Sequence, residues 1–401
     1  FQMSFFSPRL DRIKHSPSNT ATQRVRELRA QGRSIVGLTM GEPDFETPGN
    51  VKQAVIAAMA RNETRYTPTG GVTELKEAIR RKFQRENRLA YSNEQIIAGT
   101  GSKQLVFNAM MSTLSAGDEV IIPAPYWVSY LDMTLVADGT PVVVASGTEH
   151  GFKITPERLE AAITTKTKWL FLNSPCNPTG AVYSRTELKA LAEVLLRHPQ
   201  VWVLSDDIYE HLLFDGVEFA TIAEVEPALY ERTLTVNGVS KAYAMTGWRL
   251  GYAGGPTALI KNMAKLQSQS TSNASSISQW AAVEALTGPQ EFLQDRAASF
   301  QQRRDLVLDM LKEAPGLTCA KPQGAFYVFP DCSGTLGKKT SQGKCIETEQ
   351  DFTLYLLDEG VGVIQGEAYG LMPYFRISIA SSVAELTEAC SRIQRATAAL
   401  Q

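Results

Sequence analysis

The chain has 401 residues, 43% of them hydrophobic and 20% charged, with a formal net charge of −2. Such a length and composition fill two domains, or one large domain plus a smaller satellite, and the near-neutral balance leaves no electrostatic footprint for nucleic acid or an anionic membrane. No apolar run approaches the roughly 20 residues of a membrane helix, and the charged start lacks an apolar signal core, so a cytoplasmic protein is expected.

Residues 1–45 read as an N-terminal arm. Phe1 and Gln2, ahead of Met3, look foreign to the natural chain. Ser16, Pro17, Ser18 and Asn19 signal a turn, and a helix is expected over about 22–30. Ile35, Val36 and Leu38 then mark a short strand before Gly41-Glu42-Pro43-Asp44.

In residues 46–288, Val51, Val55, Ile56 and Met59 recur at helix spacing, and 73–83 forms a second amphipathic helix. Apolar runs follow at 96–98, 119–122, 141–145, 169–173, 201–205, 234–236 and 250–253. They lack strict alternation, as strands buried on both faces do. Helical stretches such as 104–114 and 185–196 fall between several of them. The expected fold is α/β: a large domain whose mostly parallel seven-stranded sheet is covered by helices. The link from Val236 to Leu250 has little room for a crossover helix, which makes that pair antiparallel.

Residues 289–401 read as a smaller α+β domain that packs with the arm. It comprises a long charged helix over 289–311, strand-like stretches at 325–329, 361–364 and 375–379, and a final helix over 383–400. Five cysteines without a Cys-x-x-Cys pair read as reduced thiols, and four scattered histidines lack metal-ligand spacing.

Ligands of open α/β sheets bind outside the carboxyl ends of the strands. The polar residues that follow the expected strands are Gly99 to Lys103, Asn173 to Gly180, Asp206-Asp207 and Ser240-Lys241. A glycine-bearing helix start can hold a phosphate on free backbone N–H groups, though such a turn also serves simply as a turn. Two X-Pro steps stiffen the loop that carries Asn177. An acid at a strand end either caps a helix or holds a pyridine nitrogen protonated. Arg249, eight residues after Lys241, offers a fork that matches phosphate.

With these residues assembled, nearly the whole chain resembles the class I aminotransferases of pyridoxal-phosphate (PLP) fold type I, most closely the bacterial aspartate aminotransferases of subgroup Iβ. The carriers are LTMGEPDFETP, RYTPTGG, GTGSKQ, APYWVSY, NSPCNPTGAVY, SDDIYEHL, SKAYAMTGWRLGY, GAFYV and YFRISIA. The resemblance implies that Lys241 carries the cofactor as an imine and shuttles the proton. Asp206 would pair with the pyridine nitrogen, Asn177 and Tyr209 would bond the ring hydroxyl, and Trp127 would stack on the ring. Arg249, Ser102 and the backbone from Gly101 to Lys103 would hold the phosphate, joined by Tyr66 of the other subunit of a homodimer. Arg376 would clamp the substrate α-carboxylate, with a backbone contact from Gly41.

The resemblance further implies ping-pong transfer between an amino acid, foremost aspartate, and a 2-oxo acid such as 2-oxoglutarate or oxaloacetate. Ser18 and Lys103 match positions associated with a distal carboxylate. Gly238 stands where the wider family often has Ser, and Asp207 where Glu is usual. His15-Ser16 separates Lys14 from Pro17, whereas relatives that accept prephenate place the Lys directly before the Pro. The alternatives are an aminotransferase for aromatic, prephenate-like, neutral or basic amino acids on the same scaffold, a different PLP reaction, or a nucleotide-binding module using the glycine turn. The last leaves Lys241 and Arg376 unexplained.

Overall fold

A computed structural model describes residues 5–401, so Phe1 and Gln2 lie outside the described residues. Its helices are α1 (Pro17–Ala30), α2 (Gly49–Ala60), α3 (Thr73–Asn87), α4 (Ser102–Thr113), α5 (Ser129–Val136), α6 (Pro156–Ala162), α7 (Arg185–Leu196), α8 (Ile222–Val225), α9 (Thr257–Ser268), α10 (Ser276–Thr287), α11 (Phe292–Leu311), α12 (Glu349–Asp358) and α13 (Val383–Ala398). Its strands are β1 (Val36–Gly37), β2 (Ile96–Gly99), β3 (Glu119–Ala124), β4 (Thr140–Ala145), β5 (Thr167–Asn173), β6 (Trp202–Asp206), β7 (Thr233–Gly238), β8 (Gly251–Gly254), β9 (Tyr327–Val328), β10 (Val361–Gly362), β11 (Ile364–Gln365) and β12 (Phe375–Ser378).

Each of the seven apolar runs becomes a strand of one sheet, in the order β2-β8-β7-β6-β5-β3-β4. Strand β8 alone runs against its neighbours, so the short Val236–Leu250 link makes the antiparallel pair its length requires. Every residue of β2, β7 and β8 is buried, which accounts for their lack of alternation; β4, at the edge, is half-exposed. Helix α7 begins where the sequence placed it because Ser184 and Glu187 form a reciprocal capping box.

Three expectations are corrected. Pro17, Ser18 and Asn19 are not a turn but the first turn of α1: proline has no N–H to lose there and its φ suits the helix. In α2 the inward face is Val51, Val55 and Ala58, while Ile56 and Met59 are exposed, because the stripe is narrower than the apolar count suggested. The stretch 361–364 is two strands in two sheets: β10 pairs with β1, and β11 with β12.

The arm joins the C-terminal part through the parallel β1–β10 pair, and Leu38 enters a core with Phe352, Val361 and Ile377. That core also takes in Ile208, Tyr209 and Leu212, which follow β6. Arg304 of α11 is fully buried and forks onto Asp215 at 2.7 and 3.0 Å, which satisfies a charge that water cannot reach. Among the described residues, no helix is long and apolar enough to cross a membrane.

Candidate active site

A cavity of about 580 Å³ opens at the carboxyl edge of the sheet, beneath α1 and beside β12. The strand register assembles its floor: Asn173 pairs with Asp206, and Asp206 with Val236. Of the sequence-derived candidates, Ser18, Gly41, Ser102, Lys103, Trp127, Asn177, Asp206, Tyr209, Lys241, Arg249 and Arg376 all line it. Gly101 abuts it behind Arg249. Tyr66 is 93% exposed and does not line it.

One end is built to receive an anion. Ser102 and Lys103 open α4, where backbone N–H groups have no carbonyl one turn back. Gly101 precedes them at φ +80°, and a Cβ there would meet the Arg249 Nη2 at 2.4 Å. Arg249, itself at φ 52°, is steadied by a 2.8 Å bond to the Thr246 carbonyl. Gly238 is explained in the same way: a Cβ would come within 2.7 Å of the Ser102 Oγ. The Ser102 hydroxyl, expected to face the anion, donates to the Asn237 carbonyl at 2.7 Å, because β7 ends directly behind it.

Toward the centre, Asp206 is buried and accepts a 2.6 Å bond from Tyr130 on Oδ2, while Oδ1 has no partner. Burial pushes its carboxyl up to about 6, opposed by the Tyr130 bond and by Lys241. The Lys241 amine donates to the Gly41 carbonyl and stands over the Tyr209 ring at 5.8 Å. Burial first, and then the positive charge of Arg376, lowers it to about 8. Trp127 packs edge-on against Tyr130 at 5.3 Å, and the Lys103 ammonium lies 5.0 Å from its ring centroid.

At the far end Arg376 is buried, with its guanidinium 4.3 Å from the Tyr327 ring centroid. It donates to Asn177 Oδ1 at 2.9 Å and to the Thr39 carbonyl at 2.6 Å, and its Nε has no partner. The Tyr209 and Tyr327 hydroxyls share a 2.7 Å bond. Asn173 donates to the Asp206 carbonyl at 3.0 Å and accepts from the Asn177 N–H at 2.9 Å, so it pins the proline-stiffened loop to the sheet.

Tyr130 and Tyr327 were not singled out from the sequence, although each lies inside a quoted motif, and Asn173 was named only as the start of the loop to Gly180. Their signal was position: Asn173 ends a strand, and Tyr130 and Tyr327 follow one or lie within one.

Asp206 and Arg376, which both line this cavity, each keep a buried atom without a partner, an acid oxygen on the first and an arginine N–H on the second. Buried polar groups are rarely left so, which points to a bound donor for the first and a bound acceptor for the second. A phosphorylated pyridine aldehyde fits: a ring nitrogen for Asp206, an aldehyde carbon for Lys241 and a phosphate for the α4 start. Arg376 is then left for a carboxylate.

A family model described as aminotransferase class I and II matches residues 33–393. An aspartate/prephenate aminotransferase from Cereibacter sphaeroides is 58% identical over 399 residues, covering 99% of this chain and 100% of that protein. An aspartate aminotransferase from Rhizobium meliloti is 57% identical over 374 residues, covering 93% of this chain and 91% of its own. The crystal structure of the aspartate aminotransferase from Rhizobium meliloti superposes with a TM-score of 0.97 at 55% identity over 100% of both chains. The Thermus thermophilus aspartate aminotransferase with maleate gives 0.92 at 43% identity, covering 98% of this chain and 100% of its own.

Proposed function

Because the chain belongs to the class I and II aminotransferases, enzymes that work with pyridoxal 5'-phosphate, we propose that it moves the amino group of aspartate to 2-oxoglutarate, and back, in the cavity above β5, β6 and β7. The observation that carries this reading is the pair of orphaned atoms, Asp206 Oδ1 and Arg376 Nε, at separate points of one cavity that also contains Lys241. When bound, the cofactor supplies the electron sink that lets an amino acid lose its Cα proton.

Lys241 would hold the cofactor covalently and, once displaced by the incoming amine, carry the proton to and from Cα. Asp206 would keep the ring nitrogen protonated, with Tyr130 holding the carboxylate in place. The Tyr209 hydroxyl and the Asn177 side chain would bond the ring oxygen, and Trp127 would cover the ring face. Arg249 and the N–H groups from Gly101 to Lys103 would hold the phosphate, with Ser102 seated by its hydroxyl bond to Asn237. Arg376 would grip the substrate α-carboxylate, with the Gly41 backbone beside it, which fixes which bond to Cα breaks.

Lys103 at the α4 start and Ser18 in the first turn of α1 both line the cavity and would meet the second carboxylate of a short dicarboxylic substrate. The maleate of the Thermus structure is a four-carbon dicarboxylate, which supports an acidic donor. Exposed Tyr66, with Ile56 and Met59 on α2, supports a homodimer in which Tyr66 reaches the partner's phosphate site. We assign the enzyme to cytoplasmic amino acid metabolism.

The names of relatives such as the Cereibacter enzyme favour a second reading, in which prephenate is also an acceptor. Ser16 lines the cavity while Lys14 and His15 do not, so of the inserted pair only the small Ser16 side chain meets a larger acceptor. A panel of amino donors against 2-oxoglutarate, oxaloacetate and prephenate tests both readings. Aspartate and glutamate are expected to lead; a preference for neutral or basic donors overturns the first.

The lowered Lys241 gives a pH prediction. The amine is neutral above about 8, so apo-protein is expected to take up pyridoxal phosphate faster as pH rises, with the rate levelling off just above that value. Stopped-flow absorbance across pH 6–10 measures it, at roughly unit spacing around the amine's midpoint. A midpoint near that of an ordinary lysine removes Lys241 as the reacting amine.

A further inference from the structure

Behind the cavity floor lies a set of buried charged and polar groups to which no role has yet been given. Lys82 of α3 is fully buried, and its ammonium donates to Glu210 Oε1 and, at 2.7 Å, to Asn87 Oδ1. Asn87 donates to Glu210 Oε2 at 2.8 Å. Glu210 takes a further 2.8 Å bond from Asn237 Nδ2. Glu86 and His211 lie alongside, and with Glu210 they offer three ligand atoms within 4.8 Å. The Lys82 ammonium already stands against Glu210 and 3.4 Å from Glu86, so the lysine fills the place of a cation.

A buried ion pair of this kind contributes little net stability compared with apolar side chains of similar volume. Its value lies in what it holds in register. Glu210 belongs to the turn that follows Asp206, the last residue of β6, and carries Tyr209; that turn is closed by a 2.9 Å bond from the Glu210 N–H to the Asp207 carbonyl. Asn237 is in β7, four residues before Lys241. Its Oδ1 accepts the Gly238 N–H at 2.8 Å, and its carbonyl accepts the Ser102 hydroxyl at 2.7 Å. The chain of contacts therefore runs from α3, through the ring-side turn, to the first residue of the phosphate-side helix.

We propose that Glu210, held in place by Lys82, is a positioning residue for the cofactor's phosphate, acting through Asn237 on the seat of Ser102. The proposal rests on the cofactor site described above. Two further features agree with it. Gly238 and Gly251 leave no slack at this seat, since a Cβ on Gly251 would lie 2.2 Å from the Ser102 nitrogen. Burial, and then the charge of Glu210, holds the Asp207 carboxyl well above the usual carboxylate range, and of these two acids it is Glu210 that the Lys82 ammonium touches.

The test compares the affinities of apo-protein for pyridoxal phosphate and for pyridoxal, which lacks the phosphate, by equilibrium titration. In Asn237→Ala the preference for the phosphorylated form is expected to fall about tenfold, the size of one lost hydrogen bond of this kind, with pyridoxal itself little changed. Asn87→Ala, which loses the bond to the Glu210 oxygen that Asn237 does not use, is expected to lower the thermal midpoint and leave the preference intact. Should Asn237→Ala not fold, Glu210→Gln, which keeps the shape and an acceptor oxygen, is read by the same ratio. An unchanged preference in whichever of these two folds, or an equal loss in Asn87→Ala, overturns the proposal. Wild-type protein that does not distinguish the two aldehydes overturns the cofactor site itself, a result separate from either of these.

Discussion

Lys241→Ala is expected to abolish turnover, lowering kcat by about four orders of magnitude or more, because one substitution removes both the covalent attachment and the proton carrier. The geometry gives the reason that no neighbour can substitute. The amine stands over the Tyr209 and Phe326 rings at 5.8 and 5.9 Å and is tethered to the Gly41 carbonyl. The other cations of the cavity are arginines, which stay protonated, and Lys103, which lies against Trp127. The variant keeps Asp206, Arg249 and the α4 start, so it is expected to bind pyridoxal phosphate without a covalent bond. Borohydride treatment followed by mass spectrometry should leave a phosphopyridoxyl adduct at residue 241 in the wild type and none in the variant. Sustained multiple turnover by Lys241→Ala would end the assignment.

The parts of this molecule legible in its sequence are those in which neighbours along the chain decide the structure. A strand buried on both faces must be apolar throughout, and the residue after it must then lie at the sheet edge; that alone brought Asn177, Asp206 and Lys241 to one place. Other features depend on what packs across from a residue. Ile56 and Met59 look inward by spacing but face out, because α10 covers α2 along the narrower Val51–Val55–Ala58 stripe. The stretch 361–364 divides because its first half meets the arm and its second half meets β12, partners far away in sequence. The hydroxyl direction of Ser102 is set by the Asn237 carbonyl, 135 positions further on. The Lys82–Glu210 pair was invisible for the same reason: its members lie 128 residues apart, on a helix and a turn that each look ordinary alone.

Arg376→Ala is expected to lower kcat/KM for aspartate by about 3 kcal/mol, roughly two orders of magnitude, while leaving cofactor binding largely intact. The guanidinium is already fixed by Asn177, Thr39 and the Tyr327 ring, so little side-chain entropy remains to be lost when substrate arrives. Its Nε is the one guanidinium nitrogen without a partner, and Nη1 and Nη2 each spend only one bond on the protein, so N–H donors remain for a carboxylate. Two controls separate this from general damage. Arg376→Lys keeps the charge but not the fork, and is expected to recover only part of the loss. An amine without an α-carboxylate should react equally slowly with wild type and Arg376→Ala, since neither has a carboxylate to grip. The substitution also has an electrostatic signature. Arg376 is the strongest charge lowering Lys241, so its removal should move the midpoint of pyridoxal phosphate uptake above about 8, toward the ordinary lysine value. A kcat/KM that falls with no such displacement would mean that Arg376 lies too far from the amine to act on it, and an unchanged kcat/KM would take Arg376 out of the site.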